Sequence, residues 1–378
     1  MFTYLDNNAT TRPHPKVLEA LFHYYNEQWG NPSSLHRFGS QTREALDRAR
    51  QQVMLALGAT RPAEVLFTSG GTESNHLAIT GTLSAFPQKK HCITTAVEHS
   101  SVLKLFQRLE KEGCKVDMLP VNASGQISLR DLESKLSPDT ALVSLVWANN
   151  ETGVLSPITE AAKICQRHHV PLHVDAIQAF GKIPIDVFRA GVDLLSISGH
   201  KFHAPKGAGA LYVKKGHRLR PIFLGGSQEQ GMRAGTSNVP GIVGLGIAAE
   251  MAAQNLETIK KVETLRDQLE QKIVALYPKA IISGATSPRL PNTSHICFDG
   301  LDGESICLLL SEVGVCVSTG SACSAGSLEP SHVLKAMGMT PTQAKGAVRF
   351  SLSSETTEEE IENTIDELRK VIKRVLSS

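Results

Sequence analysis

Short apolar, β-branched runs recur through roughly the first two thirds of the chain, and between several of them apolar side chains return every three or four positions. The runs predict strands at Glu64–Thr68, His91–Thr95, Leu142–Trp147, Leu172–Val174, Leu194–Ile197 and Ala210–Val213. The three- and four-residue spacing predicts helices such as Ser101–Glu112 and Glu160–His169. Strands alternating with helices imply crossover units, hence an α/β domain around a mostly parallel central sheet. After about residue 250 the pattern changes to a long charged helix, Glu257–Tyr277, then strand-like and helical pieces, then a terminal helix, Glu358–Val375. The expected division is a large α/β domain over 16–250 and a smaller α+β domain built from 1–15 and 251–378.

Length agrees with two domains, since 378 residues exceed the roughly 250–300 at which one core stops growing. The formal net charge is +2, and the 39 basic residues are dispersed, which argues against nucleic acid or an anionic membrane surface and for small molecules or proteins as partners. No apolar run approaches the ~18 residues of a membrane span, and the start, Met1 to Asp6, has neither a basic nor an apolar leader region. A cytoplasmic location is expected. Seven irregularly spaced cysteines without a C-x-x-C pair read as reduced thiols, with no metal site expected. Cys92, Cys165 and Cys307 sit in apolar surroundings, and Cys297 and Cys316 read as core thiols before a second relay.

Cys323 differs from these. It lies in Ser-Thr-Gly-Ser-Ala-Cys-Ser-Ala-Gly-Ser, residues 318–327, whose side chains are too small to pack a core. Such a segment gives a thiol the access that a nucleophile needs, and it reads equally well as a plain flexible linker. Three further segments follow predicted strands, where open parallel sheets place their ligands. Ser69 to Asn75 contains Gly70, Gly71 and Thr72, able to cradle an anion at a helix start, although it lacks the lysine of a phosphate-binding P-loop. Asp175 ends an apolar strand, where a carboxylate needs a cation or donors. Lys201 stands between His200 and His203, placed to serve as a desolvated amine for Schiff-base chemistry or as an ordinary loop lysine. Together, Gly-Gly-Thr, Asp175 and Lys201 supply handles for the phosphate, ring nitrogen and aldehyde of pyridoxal 5'-phosphate.

On these residues the sequence closely resembles the NifS/IscS-type cysteine desulfurases, of the class V aminotransferase fold. The likeness runs from Tyr4–Thr11 to the last helix. It includes Gly30–His36, Ser69–Asn75, Glu98–Val102, Trp147–Gly153, Val174–Gln178, Ser198–Lys201, Arg233–Asn238 and the Cys323 loop. The resemblance implies a pyridoxal-phosphate-dependent transferase of fold type I, aspartate aminotransferase-like, with the catalytic loop at about 318–330 in the small domain. It implies that Lys201 carries the cofactor, Asp175 holds its ring nitrogen protonated, Gln178 bonds its ring hydroxyl, and His99 stacks on the ring and moves protons. Gly71, Thr72, Ser198 and His200 would bind the phosphate, with Thr236 arriving from the second subunit of a homodimer. Asn150 would touch cofactor and substrate, and Asn150 with Arg349 would hold the substrate carboxylate.

The implied reaction takes sulfur from L-cysteine as a persulfide on Cys323, releases L-alanine, and passes the sulfur to an iron–sulfur scaffold or other acceptor protein; Cys323 could also ligate a transferred cluster. The chain stops soon after its terminal helix, and Gly326 and His332 look NifS-like, so a specialised member is expected rather than a housekeeping one. A selenocysteine lyase or another class V aminotransferase would keep Lys201 and Asp175 without needing Cys323. A sulfur carrier or interaction protein on a degenerate fold would be expected to have lost one of the pair. His36 and His203 fall in family-like segments without an assignable role, Arg349 also reads as a structural ion pair, and His168-His169 reads as solvated helix capping.

Overall fold

The computed structural model describes residues 2–254, 256–319 and 330–377; Cys323 and the segment 320–329 around it lie outside the described residues. The chain opens with a two-residue strand, β1 (Thr3–Tyr4), and two helices, α1 (Pro15–Asn26) and α2 (Arg37–Leu57). In α2 the buried Ala45, Leu46, Ala49, Val53 and Leu57 recur at helical spacing. That helix ends on Gly58, whose φ of 68° suits a residue without a Cβ.

The central sheet follows. Its strands are β2 (Val65–Thr68), β3 (His91–Thr95), β4 (Lys115–Leu119), β5 (Thr140–Val146), β6 (Leu172–Asp175), β7 (Leu194–Ser198) and β8 (Gly209–Val213), in the spatial order β2-β8-β7-β6-β5-β3-β4. From β4 through β3, β5 and β6 to β7 every pairing is parallel, while β8 runs antiparallel to both β2 and β7. The mostly parallel α/β sheet read from the apolar runs is present. Its middle strands are legible because both faces are covered, so β5, β6 and β7 are buried throughout. Helices α3 (Gly71–Ala85) and α4 (Ser100–Lys111) cover one face, with Leu77, Ile79, Val102 and Phe106 meeting Leu142, Leu194 and Leu211. On the other face α2 and Val239–Gln254 join the cluster around Val143, Val174, Leu195 and Ile197.

Strand β4 has no counterpart among the predicted strands. Lys-Val-Asp-Met-Leu carries two charges and is only fully buried at Leu119, as suits an edge strand guarded by polar side chains.

A second, three-stranded sheet has the order β12-β10-β9, formed by β9 (Ala280–Ile282), β10 (Thr293–Phe298) and β12 (Ala347–Ser351), antiparallel throughout. Another two-residue strand, β11 (Val315–Cys316), pairs parallel with β1. Helices Leu256–Leu276, Gly303–Glu312 and Glu358–Leu376 supply the surrounding core with Ile306, Leu310, Ile365 and Leu368, against Ile296, Phe298, Val348 and Phe350. Leu5 from the extreme N-terminus is fully buried in the same cluster. The terminal helix begins with a reciprocal Thr357–Glu360 capping box, close to where the sequence places its start. Among the described residues no helix is long and apolar enough to cross a membrane.

Gly209 at the start of β8 shows how closely the sheet approaches the turn after β2. A Cβ there would lie 2.7 Å from Gly70 Cα and 2.8 Å from the Ile197 carbonyl oxygen, both backbone atoms. Gly209→Ala should therefore cost about 1–3 kcal/mol. A lowered midpoint in urea is the expected result, and an unchanged midpoint would show that the sheet yields freely.

Candidate active site

The C-terminal ends of β2, β3, β5, β6 and β7 open on one side of the parallel sheet, and Gly71, Thr72, His99, Asn150, Asp175, Gln178, Ser198, His200 and Lys201 lie at them or just after them. After β2 the chain turns at Gly70 (φ 152°) into α3. A side chain on Gly71 would strike Ile177 Cδ1 at 2.1 Å, so the turn lies directly against the segment following β6. The buried Ser198, ending β7, packs on the same turn, with its Oγ 3.7 Å from where a Cβ of Gly70 would stand. Thr72 is exposed in the first turn of α3, and the first amides of this 15-residue helix point out of its start.

Asp175 ends β6 and is 2% exposed. Its Oδ2 accepts from Asn75 Nδ2 at 2.7 Å and its Oδ1 from the Ile177 amide at 3.0 Å. Burial pushes its carboxyl up, against the opposing pull of His99, these two donors and Lys201. His99 caps α4: its Nδ1 accepts from the Ser101 amide and lies 2.9 Å from Ser101 Oγ, which in turn accepts from Asn75 Nδ2 at 3.1 Å. With Nδ1 facing an amide hydrogen, the neutral ring carries its proton on Nε2. One hydrogen-bonded chain thus runs from His99 through Ser101 and Asn75 to Asp175.

Lys201 follows β7 on a single 3₁₀ turn, and its Nζ donates to the carbonyl oxygens of Asn8 and Ala9 at 2.7 and 2.9 Å. Gln178 Nε2 donates to the same Asn8 oxygen at 2.8 Å. His200, beside Thr10 Oγ1 at 3.2 Å, has its pKa pushed down to about 4, mainly by burial, so its ring is neutral at neutral pH. Arg349, in β12 and 2% exposed, pairs with Asp6 at 2.7 Å through Nη2 and donates to the Asn150 carbonyl oxygen at 2.9 Å through Nη1. Its Nε is buried with no hydrogen-bond partner among the described residues. The sequence allowed a structural ion pair for Arg349, and that pair exists; the remaining donor, Nε, faces no acceptor among the described residues.

Thr236 is exposed, and among the described residues no hydrogen bond joins it to the groups above. Its segment is tied down by Arg233, which grips Glu73 of α3 at 2.7 Å. His36 and His203 acquire local roles: His36 Nδ1 accepts from the Gly39 amide as the cap of α2, and His203, at φ 67°, holds Thr11 and the Arg12 carbonyl. Cys92, Cys165 and Cys297 are buried, while Cys307 and Cys316 are half-buried.

The residues suit pyridoxal phosphate on three counts. The buried Asp175 carboxylate is bonded by neutral donors, so a cationic ring N–H would offset its burial. The Gly70-Gly71 turn leaves a helix start bare of side chains at its first residue, as an anion requires. The Lys201 amine donates to the Asn8 and Ala9 carbonyl oxygens, acceptors that leave it nucleophilic once it loses a proton.

Sequence reasoning passed over several members of this site. Asn8 is a junction, Lys182 is a buried amine, and Glu98 and Glu151 are buried carboxyls. Glu151 accepts from Ser331 Oγ at 2.5 Å, and His332 Nε2 lies 2.9 Å from the Glu98 carbonyl oxygen, so the chain beyond residue 329 is pinned beside the site. The pairing of Glu151 with Ser331 spans 180 residues, and only the family-like segments around Glu98 and Glu151 gave any signal.

Burial raises the Glu98 carboxyl to about 8, with Asp175 adding to the rise. The native state then keeps this proton to about pH 8, while the unfolded chain releases it in the ordinary carboxylate range. Stability contributed by the proton is complete at low pH and is lost as pH rises through that window, by at most about 1.4 kcal/mol per pH unit. Glu98→Gln is neutral at every pH. Melting curves from pH 5 to 9 should fall less steeply for this variant than for the unaltered protein; parallel curves would show that Glu98 ionises normally.

The aminotransferase class-V profile matches residues 3–364. A cysteine desulfurase of Trichormus azollae is 50% identical over 373 residues, 98% of this chain and 93% of that protein. The cysteine desulfurase NifS of Azotobacter vinelandii is 50% identical over 370 residues, 98% of this chain and 92% of that one. A solved NifS-like protein superposes with a TM-score of 0.93 at 39% identity, covering 99% of this chain and all of the other. The chain belongs to the aminotransferase class-V family, among its NifS-type cysteine desulfurases.

Proposed function

We propose that this protein is a pyridoxal-phosphate-dependent cysteine desulfurase that moves sulfur from L-cysteine onto Cys323 and then to an acceptor protein. The observation that carries this reading is the meeting, across the Asn8 junction, of a buried carboxylate, Asp175, and an amine bonded to the Asn8 carbonyl, Lys201, on the central sheet with Arg349 on the second sheet, whose buried Nε has no partner among the described residues. Gly71, Thr72, Ser198 and His200 hold the phosphate, Asp175 the ring nitrogen, Gln178 the ring hydroxyl, Asn150 the ring periphery, and Lys201 the aldehyde. When bound, pyridoxal phosphate supplies an aldehyde that captures amines and a ring that accepts the electron pair released at the substrate Cα.

Arg349 and Asn150 hold the cysteine carboxylate, fixing the Cα–H bond relative to Lys201. Lys201, displaced by the substrate amine, takes the Cα proton. His99, its Nδ1 occupied by Ser101, has Nε2 as its working nitrogen and moves a proton near the substrate sulfur. The Cys323 thiolate attacks that sulfur; the S–S bond forms as the C–S bond breaks, and the departing pair stays on carbon, which is protonated to give L-alanine. The balance is L-cysteine plus Cys323 thiol giving L-alanine plus Cys323 persulfide. An iron–sulfur scaffold or other acceptor protein then takes the terminal sulfur.

The assembly is a homodimer in this reading. Phe22, Tyr25, Trp29 and Leu35 are all more than 60% exposed on α1 and the segment after it, an apolar surface that a second copy would cover. Thr236, on an exposed segment, reaches the phosphate of the other subunit. The large domain spans 16–250, and 1–15 with 251–378 form the small one.

Purified protein should release alanine and sulfide from L-cysteine in the presence of a reducing thiol. Cys323→Ala should keep the yellow colour of bound cofactor and lose sulfide production by roughly 10³-fold or more, as removal of a nucleophile does. Turnover at the unaltered rate by this variant would contradict the persulfide step. Selenocysteine as a substrate that survives the same substitution would favour a lyase instead.

A further inference from the structure

Lys182 is a buried amine that the reaction above does not use. It lies past the turn that follows β6, 9% exposed, with Nζ donating to Gln178 Oε1 at 2.5 Å and to Asn8 Oδ1 at 2.9 Å. Burial, reinforced by the cations Lys201 and Arg349, holds its pKa well below that of an ordinary lysine. A neutral amine has two hydrogens, and two acceptors stand in reach. Asn8 Oδ1 is held from a second side by Asn292 Nδ2 at 3.1 Å, so the acceptor is itself fixed.

The consequence falls on Gln178. The two ends of a carboxamide have nearly the same shape, and their neighbours decide which end points where. At Gln178 the Asn8 carbonyl takes one hydrogen of Nε2 at 2.8 Å, while Lys182 occupies Oε1. The remaining Nε2 hydrogen is the one the residue can offer outward. Were the amide reversed, its oxygen would face the Asn8 carbonyl oxygen and its NH2 would face the Lys182 donor, two mismatches at a side chain only 5% exposed.

We propose that Lys182 is a positioning residue that locks Gln178 as a hydrogen-bond donor to the ring hydroxyl oxygen of bound pyridoxal phosphate, favouring the anionic form of that oxygen. This rests on the reading of Gln178 as a cofactor contact. Lys182 acts through Gln178 and touches neither substrate nor cofactor.

The test is a double-mutant cycle on holoenzyme, reading the pH midpoint of the cofactor's visible absorption change. Lys182→Met should raise the midpoint by about one pH unit, the scale of one hydrogen bond to a charged oxygen. In a Gln178→Ala background the same substitution should add no shift. Equal shifts in both backgrounds, or none in either, overturn the inference and leave Lys182 a structural tie to Asn8. Gln178→Glu provides a check that leaves the buried amine in place, since its carboxylate accepts from Lys182 and has no hydrogen for the ring oxygen; the midpoint should rise, and an unmoved midpoint again overturns the inference. Unaltered protein that takes up no pyridoxal phosphate overturns the cofactor reading together with this one, whereas yellow protein with invariant midpoints overturns this one alone.

Discussion

The bonds made by Asn8 and its neighbours are the constraint on which the site depends. Leu5 is buried in the core of the second sheet and its amide bonds to Cys316, while Asn7 and Asn8 bond to the backbone and hydroxyl of Ser351 in β12. From there the chain crosses to the central sheet, where the Asn8 carbonyl oxygen receives both Lys201 and Gln178, and the Thr11 amide reaches the His200 carbonyl. The Asn8 side chain bonds Thr293 and receives Lys182 and Asn292. A stretch of half a dozen residues thereby sets the distance between Arg349 on one sheet and Lys201 on the other. Buried amides and carbonyls must find partners, so a small displacement here would leave several of them unmatched at once.

The electrostatics follow from the same enclosure. Asp175, Glu98 and Glu151 are acids pushed up by burial, and Lys182 and His200 are bases pushed down by it. The site therefore resists charge except where a partner supplies the opposite one. In the proposed function a ring nitrogen cation beside Asp175 and a substrate carboxylate beside Arg349 are the two charges brought to it. Both belong to the proposed reaction, and either pairing would be weaker at a surface site, where water screens it.

Much of this was legible in the sequence because the relevant signals are local. Apolar runs marked β5, β6 and β7, both of whose faces are covered, and the groups at strand ends followed once the strands were placed. Gly70-Gly71, Asp175 and Lys201 each stand at such an end. The edge strand β4 escaped because its charges hide the strand pattern, and the first strand escaped because it has two residues. Asn8, Lys182 and the Glu151–Ser331 contact escaped for another reason. Their side-chain partners lie 142 or more residues away, apart from the local Gln178–Lys182 bond, and an asparagine or a lysine carries no mark of such a partner. His36 shows the converse: a residue within a family-like motif whose contact in the fold is a helix cap.

The claim that Lys201, set by Asn8 and facing Asp175, is the amine that carries the cofactor can be tested against a nearby competitor, since Lys182 lies in the same enclosure. Borohydride reduction of the yellow protein followed by peptide mapping should place the reduced pyridoxyl group on Lys201 alone. A label on Lys182, on a surface lysine, or on no lysine at all would contradict the account.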